Sequence, residues 1–380
     1  MTEGRVSYLL GAGASVAAGL PTGAGLLDGL LEELERRGDP RLFNSMTYIV
    51  AVYSNWLNEI THGKMSGPDI ESIVSAVEML AGVDELEIRP FIRDLSAGRA
   101  MKNINGRDYP NFSLLDFNRQ AEMRELYYEM RRILRELLAV SPSTDVRYLY
   151  PFVNLARDDD ITVATLNYDG TVEKAADESG VSWSHGIDQW NDQWQLAWQS
   201  PGLRLMKLHG SLEWEDRFSP PSNLSPGGSI VDRSMESGSG SFPYIVFGRR
   251  EKLRPSGPFL DLRTAFISDL RVTTHLVVVG YSFGDEHVNE VIRHWLAVDV
   301  NRILVVVDPA FPENHFHTPN PFIWNLFTTL QERPTALVRH ITKSRLLPLR
   351  LKFDEVMDIV CQGALRIDEE LAQSIRISKA

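Results

Sequence analysis

Cysteine is nearly missing: Cys361 is the only one among 380 residues. A single thiol excludes an internal disulfide and any zinc site built from several cysteines, and it suits a reducing compartment. Cationic charge is short as well. With 39 Lys and Arg against 51 Asp and Glu, the formal net charge is −12. That balance argues against broad coating of nucleic acid by this chain alone, because such binding depends on neutralising phosphates. No apolar run reaches membrane-spanning length, and no basic region followed by a long apolar stretch and a cleavage site opens the chain. The expectation is a cytoplasmic protein without a membrane partner. A hydrophobic fraction of 43% and a charged fraction of 24% are ordinary for a globular chain, and the length allows one large domain with insertions or two domains.

What is present is a recurring pattern of short apolar runs that stop at polar residues or glycine. "VSYLL" ends at Leu10, "ITVATL" at Leu166, "LRLMKL" at Leu208, "YIVF" at Phe247, "HLVVVG" at Gly280 and "RILVVVD" at Asp308. Runs of this length, apolar on both faces, suit buried parallel strands. Helical periodicity follows over Leu26–Arg37, Thr171–Glu178 and Glu286–Ala297. The alternation predicts an α/β fold, a Rossmann-like doubly wound parallel sheet.

Between the first two strands lie residues 39–156, too much chain for one crossover. Apolar residues at three and four spacing in Asp69–Leu80 and Phe117–Val140 make this stretch a large helical insertion. The expected organisation is a Rossmann-like domain over 1–38 and 157–345, the insertion over 39–156 and a C-terminal extension over 346–380. Ser219–Pro243, rich in Ser, Gly and Pro, reads as a mobile loop.

The chemistry concentrates where strands end. After Leu10 the sequence runs "GAGAS", placing Gly11, Ala12, Gly13 and Ser15 where a bare backbone can approach a pyrophosphate and a helix start can offer N–H groups to an anion. Taken alone, the turn is equally well a structural one. Asn167, Tyr168 and Asp169 follow the second strand in "TLNYD", His209 and Ser211 follow the third in "KLHGS", and Gly280 and Ser282 follow a later one in "VVVGYSFGDEH". Open parallel sheets place their ligands at such carboxyl ends.

Four stretches in this order, "GAGAS…GLP" (Gly11 to Pro21), "TLNYD", "KLHGS" and "VVVGYSFGDEHVNEVI", resemble the sirtuin family. The resemblance is closer to its sirtuin-like, NAD-consuming branch in prokaryotic defence systems, and it spans about residues 5 to 310. It implies that Gly11, Ala12, Gly13 and Ser15 line the adenosine and diphosphate side, and that Pro21 sits over the nicotinamide ribose. It further implies that Asn167 orients ribose or water, that Asp169 belongs to the nicotinamide and ribose pocket, that His209 is the general base, and that Gly280 and Ser282 contact the nucleotide. Two departures from the deacylases stand out. Paired zinc cysteines are missing, so no zinc and no cofactor beyond NAD as substrate is expected. Leu166 replaces Gln before the Asn, and Thr22-Gly23 replace Phe-Arg after the Gly-x-Pro.

The implied activity is NAD glycohydrolysis to nicotinamide and ADP-ribose, serving antiphage defence by NAD depletion. The alternatives are a protein deacylase or ADP-ribosyltransferase, or a non-catalytic NAD or ADP-ribose sensor. The resemblance also implies a separately encoded partner such as a HerA-type hexameric ATPase, through which alone nucleic acid would be sensed, and the apolar stripes within Phe117–Val140 offer a surface between protomers of a homo-oligomer. Bland readings stand beside these. Asn167 and Asp169 are also ordinary helix or turn caps. Asp285 and His287 have no third companion for a metal. Trp183, Trp190, Trp194, Trp198 and Trp214 read first as core, and Arg124, Arg131, Arg132 and Arg135 as a solvated face.

Overall fold

The computed structural model describes residues 5–61, 67–82, 117–188, 190, 195–217, 229–232, 243–245, 257–313, 315–318, 320–331, 346–349 and 352. The chain divides into two compact units. One comprises Pro21–Ala139 with Val246–Lys252, the other Met1–Leu20, Val140–Ile245 and Leu253–Ala380.

The unit that begins at Pro21 is helical: α1 (Gly23–Arg37), α2 (Pro40–Thr61), α3 (Ile70–Ala81) and α4 (Phe117–Leu137). Its helices start and stop for identifiable reasons. The Asp69 carboxylate accepts the Ser72 N–H at 2.7 Å and caps α3, and Gly38, at φ 74°, closes α1 with an N–H to Glu35 O. On α4 the apolar stripe Met123, Leu126, Met130, Ile133 and Leu134 is at most 1% exposed, and α4 packs against α1, α2 and α3. The stripe that periodicity offers as a surface between protomers is therefore spent inside this chain. Arg37 bonds Glu33 at 2.8 Å and Glu129 and Glu136 at 2.5 Å each, tying α1 to α4.

The other unit is built on a seven-stranded parallel sheet. Its strands are β1 (Val6–Leu10), β2 (Ile161–Thr165), β3 (Trp183–Ser184), β4 (Leu203–Lys207), β8 (His275–Val279), β9 (Ile303–Val307) and β10 (Leu346–Leu349). They lie in the order β10-β9-β8-β1-β2-β4-β3. A second sheet, antiparallel and of order β6-β5-β7, holds β5 (Gly210–Arg217), β6 (Ser229–Asp232) and β7 (Pro243–Ile245).

Five of the six apolar runs are thus parallel strands. The sixth, "YIVF", is not: Pro243–Ile245 pairs antiparallel with β5 in the second sheet. The span expected to be one mobile loop contains β6 and the start of β7; its other residues lie outside the described ones.

Alternate residues of β1 point to opposite faces, yet Ser7, Tyr8, Leu9 and Leu10 are all at most 1% exposed, so both faces of the sheet are covered. Tyr8 pairs with Val163 on one side and Val277 on the other. One face packs against Phe152, Val172, Ala175 and Ala176, the last three from α5 (Thr171–Ser179). Burying Phe152 and Val172 contributes on the order of 1.5–3 kcal/mol each, and each alanine methyl less. Also in this unit are α6 (Phe259–Leu270) and α7 (Glu286–Val298). From β1 the chain builds outward through β2 and β4, then returns to build β8, β9 and β10 on the opposite side. The order reverses between β1 and β8, and that is where an open sheet forms its ligand crevice. No helix among the described residues is long and apolar enough to cross a membrane.

Candidate active site

The glycine turn meets the turn after β8 at this switch point. Gly11 N donates to Val279 O at 2.8 Å and Gly13 N to Gly280 O at 2.9 Å. A Cβ on Gly13 would stand 2.6 Å from the Gly280 Cα, and Gly280, at φ +59°, faces Gly13 and Ala14 backbone in return. The bare backbone at 13 and 280 is therefore required by the contact between two turns. The glycine turn leads into a 3₁₀ segment, Ala12–Ala18, before α1 begins, and the Tyr148 hydroxyl donates to Ala14 O at 2.8 Å to hold it. Gly13→Val and Gly280→Ala should each lower stability by at least about 2 kcal/mol, from backbone overlap and from left-handed strain respectively. Urea unfolding measures this; wild-type stability in Gly13→Val would show that the two turns are not in contact.

A chain of polar contacts runs from this turn to the end of β2. The Asn167 Nδ2 donates to Gly11 O at 2.9 Å and to Ser15 Oγ at 3.1 Å. The Ser15 hydroxyl donates to Asp169 Oδ2 at 2.9 Å. Asp169 Oδ1 accepts the Thr171 N–H at 3.1 Å and its hydroxyl at 2.6 Å, an Asx turn that leads into α5. Ser15, Asn167, Asp169, Thr171 and Glu173 line a small cavity together with Leu10, Ala14, Leu149, Thr165 and Val172. Both of the Asn167 amide protons are committed to the scaffold, which leaves its Oδ1 as the atom to present to a ligand.

The loop after β4 is laced to the loop after β2. Leu208 N donates to Thr165 O at 3.0 Å and Leu212 N to Tyr168 O at 3.1 Å. Between these bonds sits His209, 4% exposed, its ring centroid 6.3 Å from that of Tyr168. Its Nε2 lies 2.9 Å from Asp285 Oδ2.

Beneath Asp169 lies an ionic network. Lys207, fully buried at the end of β4, donates from Nζ to Asp169 O at 2.5 Å and to Glu173 Oε1 at 2.7 Å. Trp214 Nε1 can only donate, and it meets His185 Nδ1 at 3.2 Å; the His185 proton therefore sits on Nε2, which donates to the same Glu173 oxygen at 3.1 Å. Burial pushes the Glu173 carboxyl upward, but the Lys207 ammonium and the His185 bond more than offset it and hold it at about 2.

The sequence-predicted residues thus fall on four neighbouring turns, after β8, β1, β2 and β4. Ser15, Asn167 and Asp169 are joined directly; Gly11, Gly13 and Gly280 form their frame. Ala12 is exposed, and so is Ser282, whose carbonyl accepts from Asn320 Nδ2 at 3.2 Å. Pro21 begins the helical unit. Asp285 caps α7 through its Oδ1, which accepts from His287 N at 2.9 Å and Val288 N at 3.3 Å. Among the described residues no group of three His, Cys, Asp or Glu converges to hold a metal; Cys361 lies outside them. Trp190 and Trp214 are core residues, at most 2% exposed, while Trp194 is outside the described residues.

Sequence reasoning missed Glu173, His185 and Asp285. A signal existed for the first: a lysine ending a buried strand demands an acid nearby.

A family model described as the SIR2-like domain matches residues 161–318. No curated protein matches the chain. Among solved structures, a Sir2 homologue in complex with NAD is 14% identical, with 99% of this chain and 90% of that chain covered at a TM-score of 0.40. A mutant Sir2 homologue in complex with 2′-O-acetyl ADP ribose is 15% identical, with 98% and 92% covered at a TM-score of 0.39.

Proposed function

We propose that this chain is an NAD glycohydrolase, cleaving NAD with water to nicotinamide and ADP-ribose. The observation that carries the reading is that Asn167 and His209 stand on two turns at the carboxyl ends of adjacent strands, locked together by backbone bonds, within the stretch matched by the SIR2-like domain. In the reaction the C1′–nicotinamide bond breaks and its electron pair goes to the pyridinium nitrogen, which leaves as neutral nicotinamide. Water adds to the oxocarbenium-like ribose carbon, and its proton passes to His209. A neutral imidazole has a ring nitrogen free to accept that proton. The Asn167 Oδ1 accepts from the attacking water or a ribose hydroxyl. Gly11, Ala12, Gly13 and Ser15 take the adenosine and diphosphate side, Gly280 and Ser282 contact the nucleotide, and Asp169 belongs to the nicotinamide and ribose pocket.

The test is incubation of purified protein with NAD and quantification of nicotinamide and ADP-ribose. Equal formation of both supports hydrolysis. NAD bound but intact would make the chain a sensor, and acyl-lysine turnover or a labelled acceptor protein would make it a transferase.

Depletion of NAD serves antiphage defence in this reading, and such an activity is toxic unless gated. The gate is assembly, either into a homo-oligomer or with a separately encoded partner such as a HerA-type ATPase, which contacts nucleic acid on behalf of this acidic chain in the cytoplasm. Mass photometry beside an NAD assay, across protein concentration and with the neighbouring gene's product, should show activity rising with assembly. Full activity in a strict monomer would sink it.

A further inference from the structure

We propose that Asp285 is the positioning carboxylate of His209, fixing its proton on Nε2 and leaving Nδ1 as the nitrogen that takes the proton. The proposal rests on His209 acting as the base.

The geometry is specific about which atom does what. Asp285 Oδ2 lies 2.9 Å from His209 Nε2, with the two side chains 5% and 4% exposed. An ionised carboxylate only accepts, so the shared proton belongs to Nε2 and the neutral ring carries its lone pair on Nδ1. That Nδ1 is buried and has no hydrogen-bond partner among the described residues. A buried ring nitrogen left unmatched costs stability, and a site that binds a hydroxyl or water there recovers it.

The carboxylate itself is held from several directions. Its Oδ1 caps α7. Its backbone N–H donates to the Tyr281 hydroxyl at 3.0 Å, and that hydroxyl donates to Asn289 Oδ1 at 2.9 Å. Asn289 in turn donates from Nδ2 to Phe283 O at 2.8 Å. The turn that carries Gly280 therefore also delivers Asp285 to His209, across 76 residues of sequence.

Asp285→Asn separates the two duties of this side chain. Asn remains a good cap, and to cap it must aim its oxygen at the His287 and Val288 N–H groups. Its Nδ2 then occupies the place of Oδ2 and donates to His209 Nε2, which drives the ring proton onto Nδ1 and removes the acceptor. The expected result is a fall in kcat of roughly 10²-fold or more, less than for loss of the base itself, with KM and thermal stability near wild type. Asp285→Ala should lose the cap as well.

The second readout needs no substrate. ¹⁵N NMR of histidine-labelled protein, with His209 assigned by its disappearance in His209→Gln, should show a protonated Nε2 in the wild type and a protonated Nδ1 in Asp285→Asn. Wild-type His209 protonated on Nδ1, or Asp285→Asn with unchanged tautomer and kcat, would overturn the proposal. If the wild type cleaves no NAD, the glycohydrolase reading fails, while the tautomers still decide whether Asp285 sets the ring.

Discussion

Asn167→Ala and His209→Ala should each lower NAD cleavage by roughly 10²–10⁴-fold, the usual loss on removing a positioned acid, base or orienting group, while the protein remains folded. The two variants fail for different reasons. His209→Ala removes a ring that contacts Asp285 and Tyr168 but bridges no strands, so the fold retains its backbone bonds between the turns after β2 and β4. Asn167→Ala also removes two hydrogen bonds to the glycine turn, so part of its effect is that of a displaced turn. Ser15→Ala is the comparison, because it breaks the link to Asp169 and the Asn167 bond to Ser15 while leaving Asn167 bonded to Gly11, and a lost nucleotide contact at Ser15 itself shows in KM. A modest loss in Ser15→Ala beside a large one in Asn167→Ala assigns the effect to the Asn167 oxygen. Near-wild-type turnover in folded His209→Ala or Asn167→Ala would refute the roles given to them.

The parts of this molecule that were legible in the sequence are those set by local pattern. β1, β2, β4, β8 and β9 are apolar on both faces and end at polar residues, so their positions and the turns beyond them could be read directly. Helices α1, α3 and α5 were equally plain, with Asp69 and Gly38 punctuating two of them. What was hidden is what depends on partners far along the chain. Gly13 lies against Gly280, a contact no local rule announces. In the sequence Asp285 stands near His287 alone; only the fold brings it to His209. The α4 stripe was correctly apolar, but periodicity cannot say whether α1, α2 and α3 or another protomer covers it.

Lys207 shows the same limit and supports the largest expected effect on stability. Its ammonium is fully buried and satisfied by Glu173 and the Asp169 carbonyl. Glu173→Leu should therefore cost about 3–5 kcal/mol, because it leaves that charge without its counter-ion. Adding Lys207→Met should recover part of the loss, since removing both charges is far cheaper than removing one. The pH dependence follows from the Glu173 carboxyl, held at about 2 in the folded chain against 4.5 ordinarily. A folded value below the unfolded one means that its contribution, roughly 3 kcal/mol, is complete above pH 4.5 and disappears as the pH falls towards 2. The wild type should thus lose stability across that window more steeply than Glu173→Leu/Lys207→Met, which has no such group to protonate. Urea unfolding at pH 7 and at steps between pH 4.5 and 2.5 measures both effects. Equal stability of Glu173→Leu and wild type at pH 7 would mean that Lys207 is not paired as described, and parallel acid profiles of wild type and double variant would mean that Glu173 is not held ionised.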